Sequence, residues 1–150
     1  IMRDAYLGPE FDAPTIKAAL DKLGVSYRHL DREPLLEEVI HEIFRNSFEA
    51  MPEEGVLTVR TRNVRIDEDR GALEPGSYVE IQVKDTGAGI EKSVLPQIFE
   101  PFYSTKPDSR ALGIGLSLAY GVVRACGGEL RVESQVAMGT TVCVLLPAVR

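Results

Sequence analysis

Two cysteines are too few for a disulfide framework, and their surroundings point elsewhere. Cys126 ends an apolar helical pattern and Cys143 lies inside Thr141-Val142-Cys143-Val144. Both read as buried free thiols, and their spacing fits no zinc motif. A reducing, cytoplasmic setting is expected. Positive charge is also scarce. Against 23 Asp and Glu stand 17 Lys and Arg, giving a net charge of −6, the wrong sign for a general nucleic-acid binder. That balance leaves room for a nucleotide, because main-chain N–H groups and a metal ion can hold phosphates. No apolar run approaches the ~20 residues that cross a bilayer. No repeat or low-complexity tract occurs, and Ile1-Met2-Arg3-Asp4 carries no signal-peptide pattern. With Ile at its start, the chain is expected to be a piece of a longer protein.

What is present fits one soluble globular domain. The chain has 150 residues, 44% hydrophobic and 27% charged, enough to bury a core. Residues 1–30 read as a lead-in, with a helix from Pro14 to Leu23 and an extended segment from Val25 to Leu30. This lead-in is expected to pack on, or belong to, the domain formed by residues 31–150. From Pro34, Leu36, Val39, Ile40, Ile43, Phe44, Phe48 and Met51 recur at helical spacing until Pro52 and Gly55. Val56 to Ile66 and Tyr78 to Lys84 read as strands joined by an acidic loop, Asp67 to Ser77. A short helix is expected over Ile90 to Ile98, a loop over Glu100 to Leu112 and a helix over Gly113 to Cys126. Two strands, Glu129 to Ser134 and Thr140 to Leu146, close the chain around a turn at Gly139. The fold class expected is α+β, a two-layer sandwich with helices on one face of a sheet.

Chemistry is suggested by four elements in order: Asn46 late in a helix, Asp85-Thr86-Gly87-Ala88-Gly89, Gly113-Ile114-Gly115-Leu116, and Gly139-Thr140-Thr141. Asp85 shares the parity of Val79, Ile81 and Val83, so its side chain continues the core face of that strand. A carboxylate placed there needs a donor. An adenine amino group would serve, and an ordinary turn-forming Asp ahead of Gly87 is the equal alternative. Glu42, Asn46 and Glu49 share a helix face. There an amide oxygen could complete a Mg²⁺ shell and Glu42 could activate a nucleophile, although a plain solvated face also explains them. Gly113 and Gly115 open a helix whose N-terminus favours an anion. Lys106 and Arg110, in the long polar loop before it, could pair with phosphates or be ordinary surface charge. His41-Glu42 echoes a phosphoacceptor motif but lacks the proline that follows it, so His41 reads as an exposed helix residue. His29 reads as structural.

Taken together these segments resemble the catalytic ATP-binding domain of sensor histidine kinases, within the superfamily that includes gyrase, Hsp90 and MutL. Glu38 to Ser47 is similar to the N box, and Asp85 to Ile90 to the first glycine box. Ile98-Phe99-Glu100-Pro101-Phe102-Tyr103-Ser104-Thr105-Lys106-Pro107 is similar to the F box. Gly113 to Ser117, followed by Tyr120 to Val123, resembles the second glycine box, and Gly139-Thr140-Thr141 the closing element. The resemblance covers about residues 30 to 148. It implies a Bergerat-type fold with a mixed sheet and a mobile ATP lid over Phe102 to Leu112. ATP would be bound by Asn46, Asp85, Gly87, Gly89, Ile90, Lys106, Gly113, Gly115, Leu116 and Thr140, with Asp85 recognising adenine and Asn46 ligating Mg²⁺. Such domains pass the γ-phosphoryl group to a His on a separate dimerisation domain, and from there signals reach a response regulator. The isolated domain is expected to be a monomer without nucleic-acid partners.

The chain departs from the family pattern at three places. Glu42 stands where histidine kinases usually have Asn, and a Glu there resembles the general base of other branches. Ala111-Leu112 replaces a Gly and a small polar residue, and Ser47 stands where Ala is common. Two other functions therefore stay open: an ATPase or anti-sigma-type serine kinase using Glu42 as catalytic base, and a domain that senses ATP without turnover.

Overall fold

The computed structural model describes residues 3–7, 33–51, 54–71, 73–100 and 115–148. Among the described residues, five strands and two helices form two layers: β1 (Arg3–Leu7), α1 (Glu33–Ala50), β2 (Leu57–Ile66), β3 (Gly76–Asp85), α2 (Gly115–Ala125), β4 (Glu129–Gln135) and β5 (Gly139–Pro147). The sheet order is β1-β2-β3-β5-β4. All four ladders among the described residues are antiparallel, so the mixed character expected of the sheet does not appear in them. The expected sandwich, with helices on one face, is what is found.

Strand alternation decides which face is covered. On β3 the odd-numbered Val79, Ile81, Val83 and Asp85 face the helices. The register sets Ile81 against Thr61 on one side and Val144 on the other, and Val83 against Val59 and Val142. Against this surface α1 lays Val39, Ile40, Ile43 and Phe44, and α2 lays Ala119 and Val123, at i, i+3/i+4 spacing. All are buried, Phe44 and Ile81 completely. A second, smaller cluster of Ile66, Leu73, Tyr78 and Leu145 closes the opposite face beneath the β2–β3 connection. There the Tyr78 hydroxyl donates to the Glu74 carbonyl at 2.7 Å.

Several expectations need correction. Ile90 to Ile98 is not a helix beyond one 3₁₀ turn at Leu95–Gln97. Pro96 has no N–H to give, and the bonds Gln97 N–H to Val94 O and Ile98 N–H to Leu95 O close three-residue steps. His41 is half-buried rather than exposed. Cys126 and Cys143 are free thiols, as expected, but each is half-buried rather than fully enclosed. The expected segments Pro14 to Leu23 and Val25 to Leu30 lie outside the described residues. β1 was not expected at all, and it extends the sheet by pairing along Leu57 to Thr61 of β2.

Candidate functional site

Asp85 is the last residue of β3 and only 2% exposed, on the same face as the apolar core. A carboxylate held this deeply must be hydrogen-bonded. Its Oδ1 accepts the Gly87 N–H at 2.9 Å and the Thr140 N–H at 3.1 Å. Both bonds fall on one oxygen, so Oδ2 carries none of them. The first bond is the local Asx-type turn that Asp85 and Gly87 suggest by themselves. The second crosses to β5 and makes Asp85 part of a tertiary site.

The glycines around Asp85 are where backbones meet. A Cβ on Gly87 would lie 2.6 Å from the Ala50 carbonyl oxygen, and Ala88 N–H donates to that carbonyl at 3.0 Å. Gly89 has φ +74 and touches Gln135, and Gly139 has φ +105 and touches the Asp85 carbonyl, conformations that glycine adopts without strain. The Ala88 carbonyl accepts Ala137 N–H at 2.8 Å. Thr86 Oγ1 accepts the Val56 N–H at 2.9 Å. The loop after β3 is therefore clamped between the end of α1 and the β4–β5 turn. Asn46 lies one helical turn before Ala50 and is half-buried, beside buried Ser47. The structure thus gathers Asn46, Asp85, Gly87, Gly89, Ile90 and Thr140 at one end of the sheet.

Glu42 is one turn earlier on α1. Its carboxylate pairs with the Arg45 guanidinium on the same helix, and its side chain is 14% exposed. It borders a small cleft between α1 and α2, with Glu38, Val39, Leu118, Ala119 and Val122. Glu38, His41 and Glu42 place one ligand atom each within 4.8 Å of one another. Gly115 and Leu116 are the first described residues of α2, and a helix N-terminus favours an anion. From the Phe99 segment, the Phe99 ring stacks on Tyr120 of α2 at 4.8 Å. Lys106, Arg110, Gly113 and the expected lid lie outside the described residues.

Ser134 was missed. It faces the helix side at the end of β4, opposite Thr140. Its Oγ accepts the Ile90 N–H at 2.7 Å and lies 2.8 Å from Thr140 Oγ1 and 3.1 Å from the Gly139 carbonyl. The signal existed: Ser134 continues the parity of Leu130 and Val132, as Asp85 does on β3.

Residues 31–150 match the family described as histidine kinase-, DNA gyrase B-, and HSP90-like ATPase. Among curated proteins, the chain is 40% identical over 115 residues to sensor kinase CckA of Brucella abortus (strain 2308), covering 74% of this chain and 12% of CckA. It is 36% identical over 115 residues to sporulation kinase C of Bacillus subtilis (strain 168), covering 77% of this chain and 24% of that kinase. The match thus spans an eighth to a quarter of these relatives' lengths. Among solved structures it resembles the mycobacterial sensor histidine kinase MprB, with a TM-score of 0.60 and 28% identity over 77% of this chain and 71% of that one.

Proposed function

The chain belongs to the histidine kinase-, DNA gyrase B-, and HSP90-like ATPase family, and from that premise we propose that it is the ATP-binding catalytic domain of a two-component sensor histidine kinase. Residues 31–150 form that domain, and residues 1–30 lead into it. It supplies the γ-phosphoryl group of ATP to a His on a separate dimerisation domain, which then serves a response regulator. The intact kinase places this domain in the cytoplasm, and the isolated domain is a monomer.

The observation that carries the reading is the polarity of Asp85. Its Oδ1 is occupied by two main-chain N–H groups, so Oδ2 is the acceptor left for a base amino group. Gly87, Gly89 and Ile90 bring the main chain against the same side, and Thr140 adds a hydroxyl. Gly115 and Leu116, at the start of α2, suit the phosphates, joined by Gly113 and Lys106 from the preceding loop. Asn46 offers a hard amide oxygen from a half-buried position, which fits Mg²⁺. Bound there, the ion would offset phosphate charge. The domain's own contribution is positioning and charge neutralisation.

Glu42 is the residue on which the alternative rests. A general base needs a free carboxylate, and the Arg45 pair competes for it.

The test gives the purified chain γ-labelled ATP, with and without a phosphoacceptor domain from the same gene. Label on the acceptor His supports the proposal. Free phosphate that disappears in Glu42→Ala supports the hydrolase. ATP binding with neither product leaves a sensing domain, and no binding of adenine nucleotide defeats all three.

A further inference from the structure

We propose that Ser134 is a positioning residue for base recognition, setting the hydrogen-bond polarity that makes the site select a 6-amino purine. The inference rests on the reading of Asp85 as the base acceptor and deepens it. A serine hydroxyl has one proton and two lone pairs. Three partners surround Oγ of Ser134: the Ile90 N–H, the Gly139 carbonyl and the Thr140 hydroxyl. One assignment satisfies all three. Ser134 accepts from Ile90, donates to the Gly139 carbonyl, and accepts from the Thr140 hydroxyl.

Two consequences follow. First, one side chain joins the glycine loop, the end of β4 and the start of β5. Thr140 is thereby fixed, and its N–H holds Asp85 Oδ1. Oδ2 cannot rotate away without breaking that bond and the one from Gly87. Second, Thr140 spends its only proton on Ser134. Its oxygen then has only acceptor capacity left for a ligand, like the Asp85 carboxylate. A base carrying an amino group at the 6-position meets two acceptors. A base carrying a carbonyl there would set an acceptor against acceptors and lose affinity.

The test titrates the 150-residue chain with ATP and with inosine triphosphate, both with Mg²⁺, by calorimetry. Ser134→Ala and Ser134→Cys are compared with the parent chain, and thermal melts confirm folding. The thiol keeps the shape of serine but bonds weakly, so the Cys variant serves if the Ala variant fails to fold. The expected result is that ATP affinity falls roughly tenfold while inosine triphosphate affinity stays nearly constant, so the preference between them collapses. Equal losses for both nucleotides would mark Ser134 as merely structural and overturn the proposal, as would an unchanged preference. Asp85→Asn distinguishes the role of Asp85 from that of Ser134. If it also leaves the preference intact, the reading of Asp85 has failed. If it abolishes the preference while the Ser134 variants keep it, only the role of Ser134 has failed.

Discussion

The main-chain N–H of Thr140 donates to Oδ1 of Asp85 at 3.1 Å, joining residues 55 positions apart in sequence. This bond ties the end of β3 to the beginning of β5 and converts a turn-forming Asp into a buried acceptor. Gly139, immediately before Thr140, passes the Asp85 carbonyl so closely that a Cβ would lie 2.0 Å from its oxygen.

Gly139→Ala is therefore expected to destabilise the fold by about 3 kcal/mol, since both a backbone clash and φ +105 oppose it. Its ATP affinity should fall as well. Gly121→Ala is the contrast. Gly121 is exposed within α2 and has nothing within 4 Å of an added Cβ, so the change should stabilise by roughly 0.5–1 kcal/mol. Urea denaturation of both variants checks the pair.

Much of this site was legible because strand alternation is a strict rule. Val79, Ile81 and Val83 place Asp85 on the core face without reference to any partner. The helical spacing through Val39, Ile43 and Phe44 likewise located α1. Most of what escaped depended on tertiary pairing, and one segment on a local proline. Arg3–Leu7 has no apolar alternation and becomes a strand through its ladder with β2. Ile90 to Ile98 has helical apolar spacing, yet Pro96 removes an N–H. For Ser134 the sequence carries only its parity on β4, because its three partners come from residues 90, 139 and 140.

On the face away from the helices, Glu80 is 5% exposed and accepts two bonds from Arg62, at 2.6 and 3.1 Å. Arg62→Leu removes both short bonds and leaves the longer Gln82 contact at 3.4 Å. The expected loss is about 1–3 kcal/mol, moderated because Arg62 is itself half-exposed. Adding Glu80→Leu should recover most of it. A double-mutant cycle in urea measures the coupling, and additive losses would show that the pair does not hold this face.

Burial raises the Cys143 thiol above its ordinary value of 9.0, with the nearby Glu80 carboxylate acting in the same direction. The folded chain thus keeps its proton where the unfolded chain has released it. Stability from this site is complete below about pH 9, then falls as pH rises toward the raised folded value. Cys143→Ala should flatten the decline of stability that sets in above about pH 9. An unchanged slope would place the decline elsewhere.

If Asp85 receives the amino group of adenine, ATP binding must depend on its carboxylate. Calorimetric titration of ATP with Mg²⁺ into the parent chain and into Asp85→Asn tests it most directly. ATP is expected to bind the parent, and the substitution to weaken binding by about 1–3 kcal/mol, the worth of a hydrogen bond to a charged group, with the melting curve still cooperative. Equal affinity in the two proteins would contradict it.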